Sequence, residues 1–359
     1  MTYEDVVAAA GRIGAHVLRT PVLEVAPGLV LKLELLQHSG SFKVRGAFNR
    51  MLAAGELPPG GVIAASGGNH GLAVAYAARA LGARAEIFVP EVTSPVKMAG
   101  LRALGARINQ VGAIYSEAAE AAAKRAAETG ALKVHAYDQA EVVAGQGTTG
   151  LELMEQTGGV DTILVAVGGG GFAAGIALGS AVPPSSQEPP LSGSEASPTF
   201  ASGQGFRQGR PRIVAVEPER IPTFHEALKA GWPVPVEVGG VAADSLGATA
   251  LGDIAYEILA SSGARSVLVA EDAIVAARRA LWERHRLVTE HGGATAYAAL
   301  LSGAYTPRAR RAGGGGGLRL QHRPRHTRRR VTVHGAGRRV ERSRGDFRTK
   351  QDAMPGSPG

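Results

Sequence analysis

The sequence predicts an α/β protein built on mainly parallel sheets. Short apolar segments alternate with alanine-rich segments of helical length from residue 61 to the helix after Gly171, which is typical of βαβ units. Glycine-rich turns stand where these strands end or the helices begin, the place where α/β proteins bind ligands. With 359 residues, 45% of them hydrophobic, the chain is long enough for about two domains.

The elements are predicted from hydrophobic periodicity and turn residues. Residues 29–35 (LVLKLEL) alternate as a half-buried strand does, and Ser41 is the expected cap of the helix 42–54. The predicted strands are 29–35, 61–65, 85–90, 106–111, 133–136, 161–167 and 212–217. The predicted helices are 2–17, 42–54, 72–81, 98–104, 116–129, one opened by Gly145–Gly150, one after Gly171, 272–286 and 293–301.

Composition excludes several classes of function. The chain has no cysteine, so disulfides, thiolate metal sites and cysteine nucleophiles are excluded. The net charge is +8, but residues 308–359 hold 15 Lys and Arg against 3 Asp and Glu, so the remaining residues are mildly acidic. A basic tail without apolar periodicity is not a nucleic-acid footprint. Without an apolar run of membrane-spanning length or a signal-like start, we expect a cytoplasmic protein with no nucleic-acid or membrane partner.

Two motifs contain the residue types of a catalytic site. The stretch Ser39–Ala47 places Lys43 beside Phe42 among small residues, and a lysine in a dry, partly apolar site becomes an amine nucleophile. The glycines Gly168–Gly171 follow a buried strand and precede a helix, which predicts a phosphate site. The spacing of Gly168, Gly170 and Ala173, with Glu217 at the end of the next strand, also fits a dinucleotide fingerprint, so this alternative stays open.

Four motifs in this order resemble the serine/threonine dehydratases. These are pyridoxal-phosphate enzymes of the tryptophan-synthase-β-like class, also called fold type II. The resemblance extends from about Tyr3 to about Pro307, apart from the segment 183–210. The motifs are Ser39–Ala47, Ser66–Gly71, Ala144–Leu153 and Val167–Gly171.

The resemblance implies a fold and a site. The fold has two open, mainly parallel twisted sheets flanked by helices, with pyridoxal 5'-phosphate in the cleft between two domains. Lys43 holds the cofactor as a Schiff base and exchanges the substrate's α-proton. Cofactor-binding residues are Phe42, Lys43, Asn69, Gly168, Gly169, Gly170 and Gly171. The substrate carboxylate is bound by Ser66, Gly67, Gly68, Asn69 and His70, with His70 mainly structural.

The implied reaction is β-elimination from a small amino acid. L-Threonine would give 2-oxobutanoate and L-serine pyruvate, each with ammonia. Alternatives are a serine racemase, a β-replacing enzyme, or an inactive or nucleotide-binding α/β protein. Gly67 disfavours racemisation, because racemases of this class carry a hydroxyl there. A homo-oligomer, dimer or tetramer, is expected from the relatives.

A metal site is doubtful in this chain. Some relatives bind a divalent cation through an acid matching Glu217 and a second carboxylate six residues on. Here the second position is Thr223, and Ile221 offers only its carbonyl. Hard cations require several oxygen ligands. We therefore expect no metal, with Glu217 as a weak candidate.

The expected domain boundaries follow the motifs. Residues 1–55 and 143–307 form a large cofactor-binding domain with a flexible insertion at 183–210, and residues 56–142 form a small domain.

Residues 308–359 read as a basic, disordered tail without a compact element. A one-base shift of suitable codons for Leu318–Pro324 yields the family's Cys-Gly-x-Asn-Thr-Asp-Pro ending, so the tail is a candidate frameshift product. The chain would then lack a core strand and the partner of the cofactor's pyridine nitrogen.

Overall fold

The computed structural model describes residues 1–181 and 210–307 and the backbone of residues 330–334. The described chain forms two sheets with helices packed on them. The strands are β1 Val22–Ala26, β2 Leu29–Leu33, β3 Val62–Ala65, β4 Ala85–Val89, β5 Arg107–Gln110, β6 Leu132–Lys133, β7 Thr162–Ala166, β8 Arg212–Pro218, β9 Arg265–Val269 and β10 Arg330–His334. The helices are α1 Tyr3–Ile13, α2 Lys43–Ala53, α3 Asn69–Ala80, α4 Pro95–Ala103, α5 Tyr115–Thr129, α6 Ala140–Thr157, α7 Gly171–Gly179, α8 Thr223–Ala230, α9 Ala243–Leu246, α10 Asp253–Ser261, α11 Glu271–His285 and α12 His291–Leu301.

The larger sheet has six strands in the order β1-β2-β10-β7-β8-β9. Only the β1–β2 pair is antiparallel, and the other neighbours are parallel. Both faces are covered: Ile163 and Val165 of β7 join one apolar cluster, whereas Leu164 joins the cluster on the opposite face. Successive side chains of β7 point to opposite faces of the sheet, and both faces are buried. This explains why residues 161–167 are almost continuously apolar.

The smaller sheet has four parallel strands in the order β5-β4-β3-β6. Ala64 and Ile87 pack on one face together with residues of α2 and α3, and Ile63 and Phe88 pack on the other against α5. The predicted α/β class with two mainly parallel sheets is therefore confirmed. The positions of the proposed domain boundaries remain a prediction.

The motif Gly145–Gly150 does not open a helix. It lies in the middle of α6, which begins five residues earlier at Ala140. A Cβ on Gly147 would lie 2.7 Å from the carbonyl oxygen of Gly175, and one on Gly150 would lie 2.9 Å from that of Ile176. These glycines therefore allow α6 and α7 to pack closely, and the prediction of a glycine-rich turn is wrong here.

A strand after Pro307 corrects a second expectation. β10 lies between β2 and β7 and pairs parallel with both. The facing backbone groups of β2 and β7 require hydrogen-bond partners, and β10 supplies them. The expectation of no compact element after Pro307, and of a missing core strand, is wrong at these five residues. Otherwise the predicted tail 308–359 and the insertion, except Arg210, lie outside the described residues, and the frameshift stays a hypothesis about the gene.

A buried ion network fixes α2 to the larger sheet. Arg45 of α2 pairs with Glu34 at 2.8 Å and with Glu152 of α6 at 2.6 Å. Lys32 of β2 also pairs with Glu152, at 2.5 Å. Arg45, Lys32 and Glu34 have no exposed side-chain surface, so each charge depends on its partner. Because Arg45 lies two residues after Lys43, this network holds the start of α2 in place.

Candidate active site

Lys43 is the first residue of α2, and its side chain is partly buried. Its Nζ donates a hydrogen bond of 2.7 Å to the carbonyl oxygen of Ala136, in the segment after β6. Desolvation lowers the pKa of Lys43 to about 8, although the carboxylate of Glu290 opposes the shift. A neutral amine is therefore accessible near neutral pH, which is the requirement for a nucleophile.

The ring of Phe42 contacts Phe172 and lies close to the Lys43 amine. Its ring stacks on Phe172 of α7 with the centroids 3.7 Å apart, and Lys43 Nζ lies 5.3 Å from the Phe42 centroid. Phe42 rather than Ser41 is the cap residue of α2, so the predicted serine cap is wrong. The hydroxyls of Ser39 and Ser41 are buried without a hydrogen-bond partner in the part of the chain that the structure describes.

The loop between β3 and α3 holds the residues that were predicted to bind the substrate carboxylate. α3 begins at Asn69, three residues earlier than predicted, so Asn69 and His70 lie in its first turn. Ser66, Gly67 and Gly68 precede it, and this helix N-terminus favours an anion. The role of the loop in substrate binding stays a prediction.

His70 is fixed rather than reactive. Its Nε2 lies 2.9 Å from the carbonyl oxygen of Val134. Desolvation, together with the nearby charge of Lys43, lowers the pKa of His70 to about 3. The imidazole is therefore neutral at physiological pH, which agrees with the structural role that we expected for it.

The turn Gly168–Gly171 lies between β7 and α7, as predicted. Gly170 has a φ of 82°, a conformation that favours glycine. A Cβ on Gly169 would meet the ring of Tyr137, and one on Gly168 would lie 2.6 Å from the carbonyl oxygen of Leu246. Only bare backbone fits between these neighbours, and the N-terminus of α7 adds positive potential. The turn therefore has the chemistry of a phosphate cradle.

Glu217 is buried near the carboxyl end of β8, and both of its carboxylate oxygens accept hydrogen bonds. Its Oε1 accepts from the backbone N–H of Phe224 at 2.7 Å, and its Oε2 accepts from that of His225 and from Ser266 Oγ, both at 3.0 Å. Burial raises the pKa of Glu217 to about 7, and these hydrogen bonds oppose the rise. Within residues 1–181 and 210–307, no group of three or more His, Asp or Glu side chains is placed to hold a metal.

Sequence reasoning missed three residues that complete the site. Glu290, just before α12, accepts a hydrogen bond of 2.8 Å from Asn69 Nδ2. Tyr137 follows the Lys43 partner Ala136 and covers the glycine turn. Phe172 stacks on Phe42. The position of Phe172 directly after the glycines was a usable signal, but Glu290 lies 221 positions from Asn69 and no local pattern reveals that contact.

The residues present fit the cofactor that the resemblance implies. Lys43 offers an amine with a lowered pKa, and the turn Gly168–Gly171 offers backbone N–H groups to a phosphate. The Asn69 amide donates one N–H to Glu290 and has a second N–H for a ring oxygen. Two serine hydroxyls beside Lys43 lack partners in the described chain. By contrast, the residues around Glu217 do not fit a divalent cation, because donors already occupy both carboxylate oxygens.

Comparisons with known proteins agree with this fit. The L-threonine ammonia-lyase of Geobacter sulfurreducens is 37% identical over 277 residues, which are 76% of this chain and 62% of that protein. This chain therefore spans less than two thirds of that relative's length. Residues 13–312 match the family described as pyridoxal-phosphate dependent enzyme.

Solved structures have the same fold. A threonine deaminase from T.th. superposes with a TM-score of 0.76 at 31% identity, covering 94% of this chain and 99% of that one. Maize serine racemase gives a TM-score of 0.76 at 27% identity and covers 94% of both chains. A lysine at a helix start, a glycine cradle and a family match over most of the chain lead to one conclusion: the protein belongs to the family of pyridoxal-phosphate dependent enzymes.

Proposed function

We propose that the protein is an ammonia-lyase that converts L-threonine, L-serine or both to the 2-oxo acid and ammonia. The observation that carries the proposal is the Lys43 amine, whose pKa is lowered to about 8 and whose Nζ is held by Ala136. Relatives named L-threonine ammonia-lyase, 37% and 34% identical, support this choice of reaction. When bound, pyridoxal phosphate supplies an electron sink for the bond that breaks at the substrate's Cα.

Different residues bind the substrate carboxylate, orient the cofactor and exclude water. The backbone of Ser66–His70, at the N-terminus of α3, binds the substrate carboxylate. Asn69 and the turn Gly168–Gly171 orient the cofactor. Phe42 and Phe172 form an apolar, stacked wall that excludes water next to Lys43.

Lys43 is the base of the reaction. Its neutral Nζ takes the proton from the substrate's Cα, and the electron pair of that bond expels the β-hydroxyl. In the net reaction the proton lost from Cα and the β-hydroxyl together make up the water that leaves. The enamine that is released gains a proton at carbon to become an imine. Water then adds to the imine, and ammonia departs to give the 2-oxo acid.

Racemisation is the second reaction to be tested. The maize serine racemase fold matches this chain. Gly67, however, offers no hydroxyl at the position where the family resemblance leads us to expect one in a racemase. A Cβ at residue 67 would lie 2.8 Å from Cγ2 of Thr93, so a larger residue would need Thr93 to move. The lack of a hydroxyl at residue 67 supports elimination over racemisation.

The test uses the purified protein saturated with pyridoxal phosphate. L-Threonine and L-serine are added separately, and 2-oxo acid, ammonia and the D-amino acids are measured. We expect 2-oxo acid and ammonia in equal amounts, with the activity lost in Lys43→Ala and kept in Lys124→Ala, which changes an exposed lysine of α5. D-Serine as the main product would favour the racemase, and activity in Lys43→Ala would exclude Lys43 as the base.

Two properties of the whole protein are also proposed. Within the described residues, no helix has both the length and the apolarity needed to cross a bilayer. The mildly acidic composition of residues 1–307 supports the proposal of a cytoplasmic enzyme. The relatives of this class lead us to propose a dimer or tetramer, which light scattering on the full chain would measure.

A further inference from the structure

Two peptide planes of the glycine turn are fixed by their carbonyl groups. Thr223 Oγ1 donates a hydrogen bond of 2.6 Å to the carbonyl oxygen of Gly168. The backbone N–H of Gly252 donates to the carbonyl oxygen of Gly169 at 3.1 Å. In a trans peptide the N–H points opposite to the C=O. The N–H groups of Gly169 and Gly170 are therefore turned away from Thr223 and Gly252, toward the other side of the turn.

Glu217 fixes the start of the helix that carries Thr223. The Thr223 hydroxyl has a single proton, and the 2.6 Å contact to Gly168 is much shorter than the 3.3 Å contact to Glu217 Oε1, so the proton belongs to the Gly168 bond. Thr223 is fully buried as the first residue of α8. Glu217 accepts the next two backbone N–H groups of that helix, from Phe224 and His225, and thereby fixes the helix start.

Within the described residues, this arrangement disfavours a cation at Glu217. The oxygens of Glu217 face backbone N–H groups at the positive end of α8, which disfavours a positive ion. Ser266 Oγ occupies a further acceptor position of Oε2 at 3.0 Å. Thr223 itself contacts the glycine turn directly, through the carbonyl oxygen of Gly168.

We propose that Thr223 is a positioning residue of the phosphate-binding turn, acting through the Gly168 carbonyl, and that it makes cofactor binding independent of a divalent cation. The inference rests on the binding of pyridoxal phosphate and not on the choice of substrate. It is therefore tested by cofactor affinity rather than turnover, and a failure of the lyase assay would leave it standing.

The test compares three variants of the full chain. Thr223→Val removes the hydroxyl at nearly constant volume, and Thr223→Ser keeps it. Thr157→Val is the matched control, because Thr157 is also buried and its hydroxyl donates 2.7 Å to a carbonyl oxygen, that of Leu153, within α6. Dissociation constants are measured by fluorescence for pyridoxal phosphate and for pyridoxal, which lacks the phosphate.

We expect Thr223→Val to raise the dissociation constant of pyridoxal phosphate about tenfold, as the loss of one buried hydrogen bond predicts. The dissociation constant of pyridoxal should stay within about twofold of the wild-type value, because pyridoxal lacks the phosphate that the turn is proposed to bind. Thr223→Ser and Thr157→Val should bind both compounds like the wild type. An unchanged affinity of Thr223→Val, or an equal loss for both compounds, would overturn the positioning role.

Cation independence has its own measurement. The affinity of the wild-type protein for pyridoxal phosphate is measured in excess EDTA and in millimolar magnesium or calcium chloride. We expect the same dissociation constant in each solution. A several-fold gain in affinity with either cation, reversed by EDTA, would overturn this half of the proposal.

Discussion

Asn69 Nδ2 donates a hydrogen bond of 2.8 Å to Glu290 Oε1, and this contact joins two parts of the fold. Asn69 begins α3, which packs on β3 and β4 of the smaller sheet. Glu290 precedes α12, which packs on β7, β8 and β10 of the larger sheet. The carboxylate of Glu290 also raises the pKa of Lys43 against desolvation. Glu290 therefore connects elements of the two sheets and also raises the pKa of Lys43.

Removing the charge of Glu290 should shift the pH dependence of cofactor attachment. Lys43 attacks the aldehyde only as a neutral amine, so attachment to the apoprotein should rise with pH through the pKa of Lys43, about 8, and level off above it. Glu290→Gln removes the charge that raises this pKa and should move the midpoint to lower pH. Stopped-flow absorbance across pH measures the midpoint.

Glu283→Gln is the matched control, because Glu283 is an exposed acid on α11. It should leave the midpoint unchanged. A midpoint in Glu290→Gln that equals that of the wild type, or that moves to higher pH, would contradict the electrostatic role of Glu290.

A methyl group at Gly169 should weaken cofactor binding. Its Cβ would meet the Tyr137 ring, so either the turn or the segment carrying Ala136 and Tyr137 must move. Such overpacking costs about 1–3 kcal/mol, or about tenfold or more in the dissociation constant of pyridoxal phosphate. Gly11→Ala, in α1 with nothing within 4 Å of its Cβ, is the control and should bind normally. Wild-type affinity in Gly169→Ala would show that the turn tolerates a side chain.

The buried ion network around Arg45 should contribute to the free energy of unfolding. Glu34→Gln leaves the charge of Arg45 fully buried and only partly compensated by Glu152, so we expect a loss of about 3–5 kcal/mol in the free energy of unfolding. Glu155→Gln breaks the surface pair with Arg19, whose side chains are both 56% exposed, and should cost less than about 1 kcal/mol. Urea unfolding measures both values, and equal effects would contradict the importance of the buried network.

The strand β10 should be needed for cooperative folding. A chain that ends at Pro307 loses the strand between β2 and β7, and their facing backbone groups lose their partners. We expect a lower melting temperature and aggregation, measured by calorimetry and size-exclusion chromatography. A chain that ends at residue 340 keeps β10 and should melt like the full chain. A chain ending at Pro307 with unchanged melting would contradict the position of β10 in the core.

Much of the site could be predicted because its signals are local. Lys43 and Phe42 are chain neighbours, and Gly168–Gly171 follow an apolar strand directly, so strand, turn and helix place them at one edge of a sheet. The contacts that bring Glu290 to Asn69 and Tyr137 to Gly169 join distant segments, and only the fold reveals them.

Two of the wrong predictions have clear physical reasons. The glycines of Gly145–Gly150 have the composition of a turn, but the close contact between α6 and α7 requires small residues within a helix. The segment 330–334 (RVTVH) has three consecutive β-branched residues, which favour a strand. Because the flanking sequence is rich in arginine, the whole tail was predicted to lack regular structure. In both places tertiary packing outweighed local composition.

Chemical trapping tests whether Lys43 carries the cofactor. The protein saturated with pyridoxal phosphate is reduced with borohydride and digested, and the labelled peptide is sequenced by mass spectrometry. We expect one phosphopyridoxyl group, on Lys43, and less label at this site when borohydride is added while L-threonine is still saturating. A label on another lysine, or a labelled protein in which Lys43 is unmodified, would contradict this expectation.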